Sequence, residues 1–376
     1  MRVSVVGAGL GGLCLAQGLR QAGIEADVFE RDQAITARFQ GYRLVLNPAG
    51  FDALRGCLPP RWHPLLDAIV GDAYGERLIL DPRLNRIGEL GPGRTGIVVD
   101  RHVLRHLLLT GLTVRTGAAL TGYDVLDDGT VRARFGHGAP ATADLLVGAD
   151  GVSSAVRAVL SPRTVPTDTG VRFVIGRTPL TERFAGLSRA FGSKIAGDGV
   201  SLLLGAMRFR TPPKEAAGRL APEVTLPDVR DYVRWAMILP PGGSREADNP
   251  REAALSMMDG WHQDLRALLE QGDPDNSALL SIRVVRPGER WSPGPVTLLG
   301  DAIHATSPTG GNGANTALRD ADLLCRCLTD VAEGRRNLLR AVGDYERQMF
   351  EYGAEAVSHS LGALPAFVPQ SKPQPA

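Results

Sequence analysis

The amino-acid sequence predicts an α/β fold into which a mainly β domain is inserted, with helices at the end of the chain. A β-branched run at 2–6 leads through a glycine turn into a helical pattern, and a second strand follows at 25–30. From about 165 to 245 the pattern changes to strands joined by long, proline-rich connections. The segment "VTLLGD" (296–301) then resembles the first strand again. This order predicts a discontinuous first domain, with a ligand crevice where the two domains meet.

The remaining elements follow from local patterns. A strand enters a helix over 97–111, and a "DDG" turn at 127–129 joins two strands of a hairpin. A buried strand over 144–148 ends in an acidic-glycine turn before a helix at 152–160. We expect one continuous helix over 249–271, with Pro250 near its start. Two further helices precede a polar tail, and the predicted divisions are 1–70, 98–163 and 285–330 for the first domain, 71–97 and 164–284 for the second, 331–365 for the C-terminal helices and 366–376 for the tail.

Composition argues against several classes of protein. Of the 376 residues, 42 are basic and 41 acidic, and no basic run is present, so we expect no nucleic-acid partner. No apolar run is long enough for a membrane helix, and the glycine-interrupted N-terminus does not read as a signal peptide. The four cysteines include no Cys-x-x-Cys pair, so we expect reduced, structural thiols in a cytoplasmic protein; they are Cys14, Cys57, Cys325 and Cys327.

A glycine fingerprint follows the first strand. In "VVGAGLGG" (5–12), Gly7 permits a tight turn, Gly9 lets the backbone approach a pyrophosphate, and Gly12 lets helix and strand pack closely. The amides near Leu10 and Gly11, at the N-terminus of the helix, are then available to phosphates. Glu30 closes the second strand, where a carboxylate accepts hydrogen bonds from a ribose. Together these features predict a dinucleotide site.

Four motifs occur in the order found in single-component FAD-dependent aromatic hydroxylases. The chain resembles this flavoprotein family, which includes p-hydroxybenzoate hydroxylase, salicylate hydroxylase and the tetracycline-modifying monooxygenases, over about residues 1 to 360. The motifs are "VVGAGLGGLCLAQGLRQAGIEADVFER", "VDRHVLRHLL", "DLLVGADGVSSAVR" and "LLGDAIHATSPTGGNGANTALRDADLL".

The resemblance implies a Rossmann-like FAD-binding domain of the p-hydroxybenzoate hydroxylase type with an inserted mainly β substrate domain and C-terminal helices. It also implies an FAD-dependent monooxygenase of secondary metabolism that consumes NADPH or NADH and O2. Such an enzyme hydroxylates an electron-rich aromatic substrate through a flavin C4a-hydroperoxide. The low content of aromatic residues, 5%, favours a polycyclic or natural-product-like substrate over a small stacked acid.

The same resemblance assigns cofactor-binding residues. Arg101 would lie near the pyrophosphate and ribityl chain of FAD, where a guanidinium neutralises phosphate. Asp150 would contact FAD and NADPH, and Asp301 would hold the ribityl hydroxyls. Arg43, in "GYRL", would lie near the flavin or nicotinamide, and Arg31, next to Glu30, belongs to the same expected cofactor site.

The segment 308–315 carries the expected chemistry. Its bare backbone leaves room beside the flavin, and the helix that begins there aims its N-terminus at the negative charge of the reduced ring. We expect Asn312 to cap this helix. The predicted catalytic positions act through their backbone and are Pro308, Gly313, Ala314 and Asn315; the last three and Gly311 also count as cofactor-binding.

The histidines do not predict a metal site. His102 and His106 share one helix face, but no third ligand is placed, and no metal is expected. His304 follows Asp301 closely and reads as a structural histidine, with a proton relay as the alternative. Arg157 is expected on a helix surface beside the acidic-glycine turn.

Other functions remain open at this point. A flavin-dependent dehydrogenase or a Baeyer–Villiger oxygenase would share these motifs. A halogenase would need a Trp-x-Trp-x-Ile-Pro segment, whereas the nearest string is "WAMILP" (235–240). A cofactor-free binding protein related to GDP-dissociation inhibitors is the alternative from another class. The sequence does not determine the substrate or the oligomeric state.

Overall fold

A computed structural model describes residues 1–34, 41–73, 76–90, 96–188, 192–239, 249–273 and 277–369. The strands are β1 (Arg2–Val6), β2 (Glu25–Phe29), β3 (Arg43–Leu46), β4 (Gly71–Ala73), β5 (Arg77–Leu80), β6 (Arg86–Glu89), β7 (Gly96–Asp100), β8 (Val114–Arg115), β9 (Leu120–Val125), β10 (Val131–Phe135), β11 (Ala141–Ala143), β12 (Leu145–Gly148), β13 (Thr167–Pro179), β14 (Gly192–Ala196), β15 (Ser201–Met207), β16 (Tyr232–Leu239), β17 (Ala278–Val284) and β18 (Val296–Leu298). The helices are α1 (Leu10–Gln21), α2 (Pro48–Cys57), α3 (His63–Ile69), α4 (Arg101–Leu109), α5 (Ala155–Leu160), α6 (Glu182–Ala185), α7 (Pro213–Leu220), α8 (Pro250–Ser256), α9 (Gln263–Glu270), α10 (Asp301–His304), α11 (Gly313–Ala332) and α12 (Leu338–Ala363).

A parallel sheet with the strand order β18-β12-β1-β2-β8 forms the first layer. β1 and β12 are apolar and buried on both faces, as parallel strands covered by helices must be. α1 follows β1 directly and packs against α11 and α2. The prediction of a Rossmann-like α/β fold is confirmed.

A sheet with the order β17-β13-β16-β15-β14-β5-β6 forms the inserted, mainly β part. β13 is paired along its length with β16 and β17, and β16 also pairs with β15. Trp235 on β16 lies over Gly176 on β13, where a Cβ atom would lie 2.1 Å from the indole ring. α8 and α9 cover this face of the sheet through an apolar cluster of buried side chains.

The expected continuous helix over 249–271 is wrong. The chain leaves the helix after Ser256 and starts α9 only at Gln263. Gly260 has φ +72°, a left-handed conformation that a helix interior cannot contain. The turn buries Met258 and Trp261 against the sheet, so tertiary packing outweighs local helix propensity here.

Several elements in the range 48–90 were not predicted, because proline and glycine conceal their periodicity. β5 pairs in parallel with β14, and β6 pairs with β5, so both belong to the seven-stranded sheet. β4 instead pairs with β7 next to β3. The domain divisions given above stay a prediction, and of the predicted tail, residues 370–376 lie outside the described part of the chain.

The cysteines and the long helices complete the description of the fold. All four cysteines are buried free thiols, as predicted. Among the described residues, no helix is long and apolar enough to span a membrane. α11 packs against both α12 and α1, and α12 also contacts β18.

Candidate cofactor and substrate site

A first cavity of about 410 Å³ opens at the carboxyl ends of β1, β2 and β12. In parallel α/β sheets this edge is where ligands bind. Seven of the predicted cofactor residues line it, although they come from four separate parts of the sequence: Gly7, Gly9, Glu30, Arg31, Arg101, Asp150 and Asp301.

The glycine fingerprint builds one wall of this cavity. Gly7 has φ +115°, and a Cβ atom there would lie 2.2 Å from the carbonyl oxygen of Ala149. A Cβ atom on Gly12 would lie 2.2 Å from the carbonyl oxygen of Gly7. Gly9 faces open space instead and precedes α1 as its N-cap residue, with no side chain capping the helix. Leu10 and Gly11 form the first turn of α1, so their amides lie at its positive end.

Glu30 is held in place by the protein itself. Its side chain is buried, and it accepts hydrogen bonds from the amide of Ala8 (2.9 Å) and the amide of Asp32 (3.1 Å). The guanidinium of Arg105 lies 3.8 Å away and donates to the carbonyl of Ala8 (2.9 Å). Sequence reasoning missed Arg105, because a single arginine on a helix gives no signal of its tertiary partners.

Asp150 and Gly151 form the turn after β12. One carboxylate oxygen of Asp150 accepts hydrogen bonds from the amides of Ala155 (2.7 Å) and Val156 (3.3 Å). The other oxygen, Oδ1, is buried and makes no hydrogen bond with any described residue. Burial raises the pKa of Asp150, against the lowering effect of the Ser154 side chain and of the backbone amides. An orphaned acceptor in a cavity wall is suited to a hydroxyl or amide donor of a ligand.

Asp301 lies at the far end of the same cavity. Gly300 (φ +61°) turns the chain into α10, and the Asp301 side chain is solvent-accessible within the cavity although protein surrounds it. Burial raises the pKa of Asp301, while the charges of Arg101 and His304 act in the opposite direction. Arg101 begins α4 and lines the cavity opposite Asp301.

His304 belongs to a buried network instead of the cavity. Its Nε2 lies 2.7 Å from Asp320, whose carboxylate also accepts from the amide of Gly300 (2.7 Å) and from the hydroxyl of Tyr352 (2.6 Å). Burial lowers the pKa of His304, but the charge and hydrogen bond of Asp320 outweigh this and raise it. The network fixes the loop that carries Asp301, which supports the structural reading of His304.

A second cavity of about 350 Å³ has a lining that shares no residue with the first. Pro308, Gly311, Asn315 and Arg43 line it, together with leucines of β15 and the end of the C-terminal helix. The start of α11 lies close to both cavities, since a Cβ atom on Gly313 would lie 3.8 Å from Asp301 Oδ1 of the first cavity, and the neighbouring Asn312 lines the second. Gly313 and Ala314 form the first turn of α11.

Two side chains at the start of α11 differ from the expectation. Asn312 occupies the N-cap position, but its side chain makes no capping hydrogen bond; its Nδ2 lies 3.0 Å from Nδ1 of His359. The Asn315 side chain accepts from the amide of Asn47 (2.9 Å) and donates to the carbonyl of Val45 (2.9 Å). Asn315 therefore links α11 to the end of β3 and to the turn before α2, and it also lines the second cavity.

The remaining residues discussed from sequence lie outside both cavities. His102 and His106 stack edge-on at 4.5 Å between ring centres, and burial lowers the pKa of each. No group of three or more metal-ligating side chains occurs among the residues that the structure describes. Arg157 is buried, which corrects its expected surface position, because its guanidinium donates to the carbonyls of Val152, Thr164 and Ala302.

The residues of the first cavity fit an FAD molecule. Gly7 and Gly12 hold the backbone where side chains are excluded, and Gly9 leaves the space that a pyrophosphate needs. The orphaned oxygen of Asp150 and the carboxylates of Glu30 and Asp301 are acceptors for hydroxyl groups along the cavity.

Comparisons with known proteins agree with this fit. A family model described as an FAD binding domain matches residues 98–349, and one described as an NAD(P)-binding Rossmann-like domain matches residues 5–63. The crystal structure assigned to an FAD containing monooxygenase of Photorhabdus luminescens subsp. laumondii superposes with a TM-score of 0.81, at 31% identity over 98% of both chains.

Two curated relatives are similar over most of this chain. The dual O-methyltransferase/FAD-dependent monooxygenase CTB3 of Cercospora beticola is 33% identical over 92% of this chain and 44% of its own length. The aurachin C monooxygenase/isomerase of Stigmatella aurantiaca is 29% identical over 89% of this chain and 82% of its own. The chain thus spans less than half the length of the first of these relatives.

Proposed function

Because the chain belongs to the FAD-dependent monooxygenases of the aromatic hydroxylase type, we propose that it transfers one oxygen atom of O2 to an aromatic or polycyclic substrate, with NADPH or NADH as reductant. The observation that carries this proposal is the junction at the start of α11, where Gly313 approaches Asp301 of the first cavity and the neighbouring Asn312 lines the second. A cofactor held at Gly9 and Glu30 can extend past this junction, so that its reactive end meets the second cavity.

The residues of the first cavity would hold FAD in the following roles. The amides of Leu10 and Gly11 would bind the pyrophosphate at the N-terminus of α1, and Glu30 would bind the adenosine ribose. Arg31 extends the same wall. Arg101 would neutralise phosphate charge, while Asp301 would accept from the ribityl hydroxyls.

Asp150 would contribute its orphaned oxygen to FAD or to the nicotinamide. Asp150 and Gly151 both line the first cavity, where FAD or the nicotinamide would reach this oxygen.

Bound FAD supplies the redox chemistry and the activation of O2. The positive N-terminal end of α11, a 20-residue helix that starts at Gly313, would stabilise negative charge on the reduced ring. Pro308, Gly311 and Ala314 would keep this wall free of large side chains, which leaves space for the substrate. Asn315 fixes the wall through its bonds to Val45 and Asn47.

The substrate would occupy the part of the second cavity that β15 and the C-terminal segment enclose. Leu203, Leu204 and Phe367 give this part an apolar surface suited to aromatic rings.

The purified protein tests this proposal. We expect it to retain FAD and to oxidise NADPH or NADH faster when a phenolic or polycyclic substrate is added. Consumption of O2 and a product heavier by one oxygen atom identify the monooxygenase. Flavin reduction with no oxygen in the product would identify a dehydrogenase, and an inserted oxygen that forms an ester would identify the Baeyer–Villiger outcome. A protein that does not bind FAD contradicts the proposal.

A further inference from the structure

We infer that Tyr232, on the inserted sheet, is a positioning residue for FAD: its hydroxyl holds Asp100, and Asp100 fixes the start of α4, where Arg101 meets the cofactor. This inference rests on the proposed function, because it takes Arg101 as a contact of FAD. It goes further in that it assigns part of cofactor binding to the seven-stranded sheet. Among the described residues, that sheet contributes none to the lining of the first cavity.

Asp100 joins the two parts of the molecule through the two oxygens of its side chain. The residue ends β7, is buried, and occupies the N-cap position of α4. Its Oδ1 accepts from the amide of Val103 (2.8 Å), which caps the helix. Its Oδ2 accepts from the hydroxyl of Tyr232 (2.7 Å), at the start of β16. One oxygen is therefore fixed by α4 and the other by the inserted sheet.

Arg101 follows Asp100 directly, so its position depends on this cap. The amide of Arg101 also donates to the carbonyl of Tyr42 (2.6 Å), just before β3. The ring of Tyr42 in turn meets the ring of Tyr232 edge-on, with 6.0 Å between the ring centres. The backbone of Arg101 is thus held at two points, and its charge reaches Asp301 in the first cavity.

Arg177 adds a contact from β13 of the inserted sheet. Its guanidinium lies 5.0 Å from the ring centre of Tyr42 and 5.5 Å from that of Tyr232. A guanidinium at such a distance attracts aromatic rings, so Arg177 keeps the two rings together. The Tyr232 side chain therefore has a fixed place from which its hydroxyl reaches Asp100.

Tyr232 is suited to act as a permanent donor. Burial, followed by the charge of Asp100, raises the pKa of Tyr232 well above its ordinary value, so the hydroxyl keeps its proton. Without this hydroxyl, a buried oxygen of Asp100 would lose its donor, which is costly. The carboxylate would then turn toward another donor, and the cap of α4 would move with it. Because bonds from a guanidinium to phosphate depend on the geometry of both groups, Arg101 would bind FAD less tightly.

A double-mutant cycle on FAD affinity tests this link. Fluorescence titration of the apoprotein with FAD gives the dissociation constants of the unchanged protein, Tyr232→Phe, Arg101→Gln and the double variant. We expect Tyr232→Phe to raise the dissociation constant about threefold to tenfold, the range of coupling within one hydrogen-bond network. In the Arg101→Gln background the same change should have little further effect, because no guanidinium is left to be displaced.

Thr178→Val is the matched control, because it also removes a buried hydroxyl from the inserted sheet. Thr178 on β13 donates to the carbonyl of Leu268 and accepts from the indole of Trp235, and it lines neither cavity. We expect this variant to unfold at a lower temperature and to bind FAD as the unchanged protein does. A merely structural role for Tyr232 would give the same result.

Asp100→Asn breaks the link at its other end and serves if Tyr232→Phe does not fold. Asparagine caps helices as well as aspartate does, but it lacks the second oxygen that accepts from Tyr232. We expect weaker FAD binding here too, and this loss should also disappear in the Arg101→Gln background.

The contrary outcomes are distinct. Equal FAD affinity of Tyr232→Phe and the unchanged protein, a loss of the same size in the Arg101→Gln background, or an equal loss in Thr178→Val overturns the inference. Unchanged affinity in Arg101→Gln would remove Arg101 from the cofactor site, and the inference with it. Failure of the unchanged protein to bind FAD would instead contradict the proposed function.

Discussion

At the scale of single residues, Asp301 combines two properties that rarely occur together. Protein surrounds its carboxylate, so burial raises its pKa, yet the side chain stays accessible from the first cavity. A carboxylate in such a place is costly unless donors reach it. The hydroxyls of a ribityl chain would be those donors, with Arg101 supplying the nearby positive charge.

Replacement of this carboxylate should weaken FAD binding. We expect Asp301→Asn to raise the dissociation constant for FAD by about tenfold to a hundredfold, since charged acceptors make the stronger hydrogen bonds. Fluorescence titration of the apoprotein with FAD measures it. Asp52→Asn, an exposed aspartate on α2, is the matched control and should bind FAD normally. Equal dissociation constants for the two variants would remove Asp301 from the cofactor site.

Residue-level prediction from sequence worked where the chain places a motif in a fixed local geometry. Gly7 and Gly12 could be assigned packing roles because each role depends on the adjacent strand and helix. Arg105 could not be identified, because its importance comes from contacts with Ala8 and Glu30, far away in sequence. Spacing carries no information about such partners.

At the scale of elements, α11 depends on Asn315 for its position. The side chain bridges α11 to two backbone groups at the β3–α2 turn, and Gly50 leaves the space that this approach requires. Helical periodicity predicted the helix itself, but the bridge joins segments that no local pattern relates. The start of α11 forms part of the second cavity, so the bridge also sets the shape of the site.

Loss of this bridge should destabilise the fold. We expect Asn315→Ala to lower the free energy of unfolding by about 2 kcal/mol, because the amide of Asn47 and the carbonyl of Val45 lose their partner. Urea unfolding measures the change. Thr329→Ala, on the same helix, removes only a hydrogen bond to the carbonyl of Cys325 and should cost less than about 1 kcal/mol. A similar loss in both variants would mean that the bridge has no special role.

The elements that sequence reasoning missed share a physical cause. α8 and α9 were predicted as one helix since their residues favour helix throughout, but burial of Met258 and Trp261 breaks it at Gly260. β5 and β6 are short strands with little period-two alternation, and they exist because β14 offers them an edge. Local propensity cannot anticipate a strand that a distant neighbour stabilises.

At the scale of the whole molecule, a buried carboxyl links the C-terminal helix to the parallel sheet. Glu346 on α12 accepts hydrogen bonds from the indole of Trp291 (2.7 Å) and the hydroxyl of Thr297 (2.8 Å) on β18. Burial raises its pKa from 4.5 to about 7, against the effect of these two donors. The folded state therefore holds a proton on Glu346 that the unfolded chain releases in weak acid.

This difference predicts how stability depends on pH. A carboxyl whose pKa is raised by folding stabilises the fold fully below the unfolded pKa, and the contribution is lost as pH rises through the folded pKa. As pH rises from 4.5 to about 7, the contribution of Glu346 to the free energy of unfolding should therefore fall by up to about 1.4 kcal/mol per pH unit. Glu346→Gln should flatten this part of the profile.

Thermal unfolding at about pH 5 and about pH 8 checks this expectation. The unchanged protein should lose more stability than Glu346→Gln between the two conditions. Glu355→Gln, an exposed glutamate on the same helix, should follow the unchanged protein. Parallel pH profiles for all three proteins would show that folding does not raise the pKa of Glu346.

The sheet order β18-β12-β1-β2-β8 has a consequence for synthesis in the cell. β1 and β12 leave the ribosome long before β18, because five strands of the inserted sheet, β13 to β17, are translated between β12 and β18. Until β18 arrives, β12 presents an open, apolar edge, the kind of surface on which nascent chains associate wrongly. The glycine fingerprint is translated well before Asp301, which follows β18, so the nascent protein completes its first cavity only after the inserted sheet has been made.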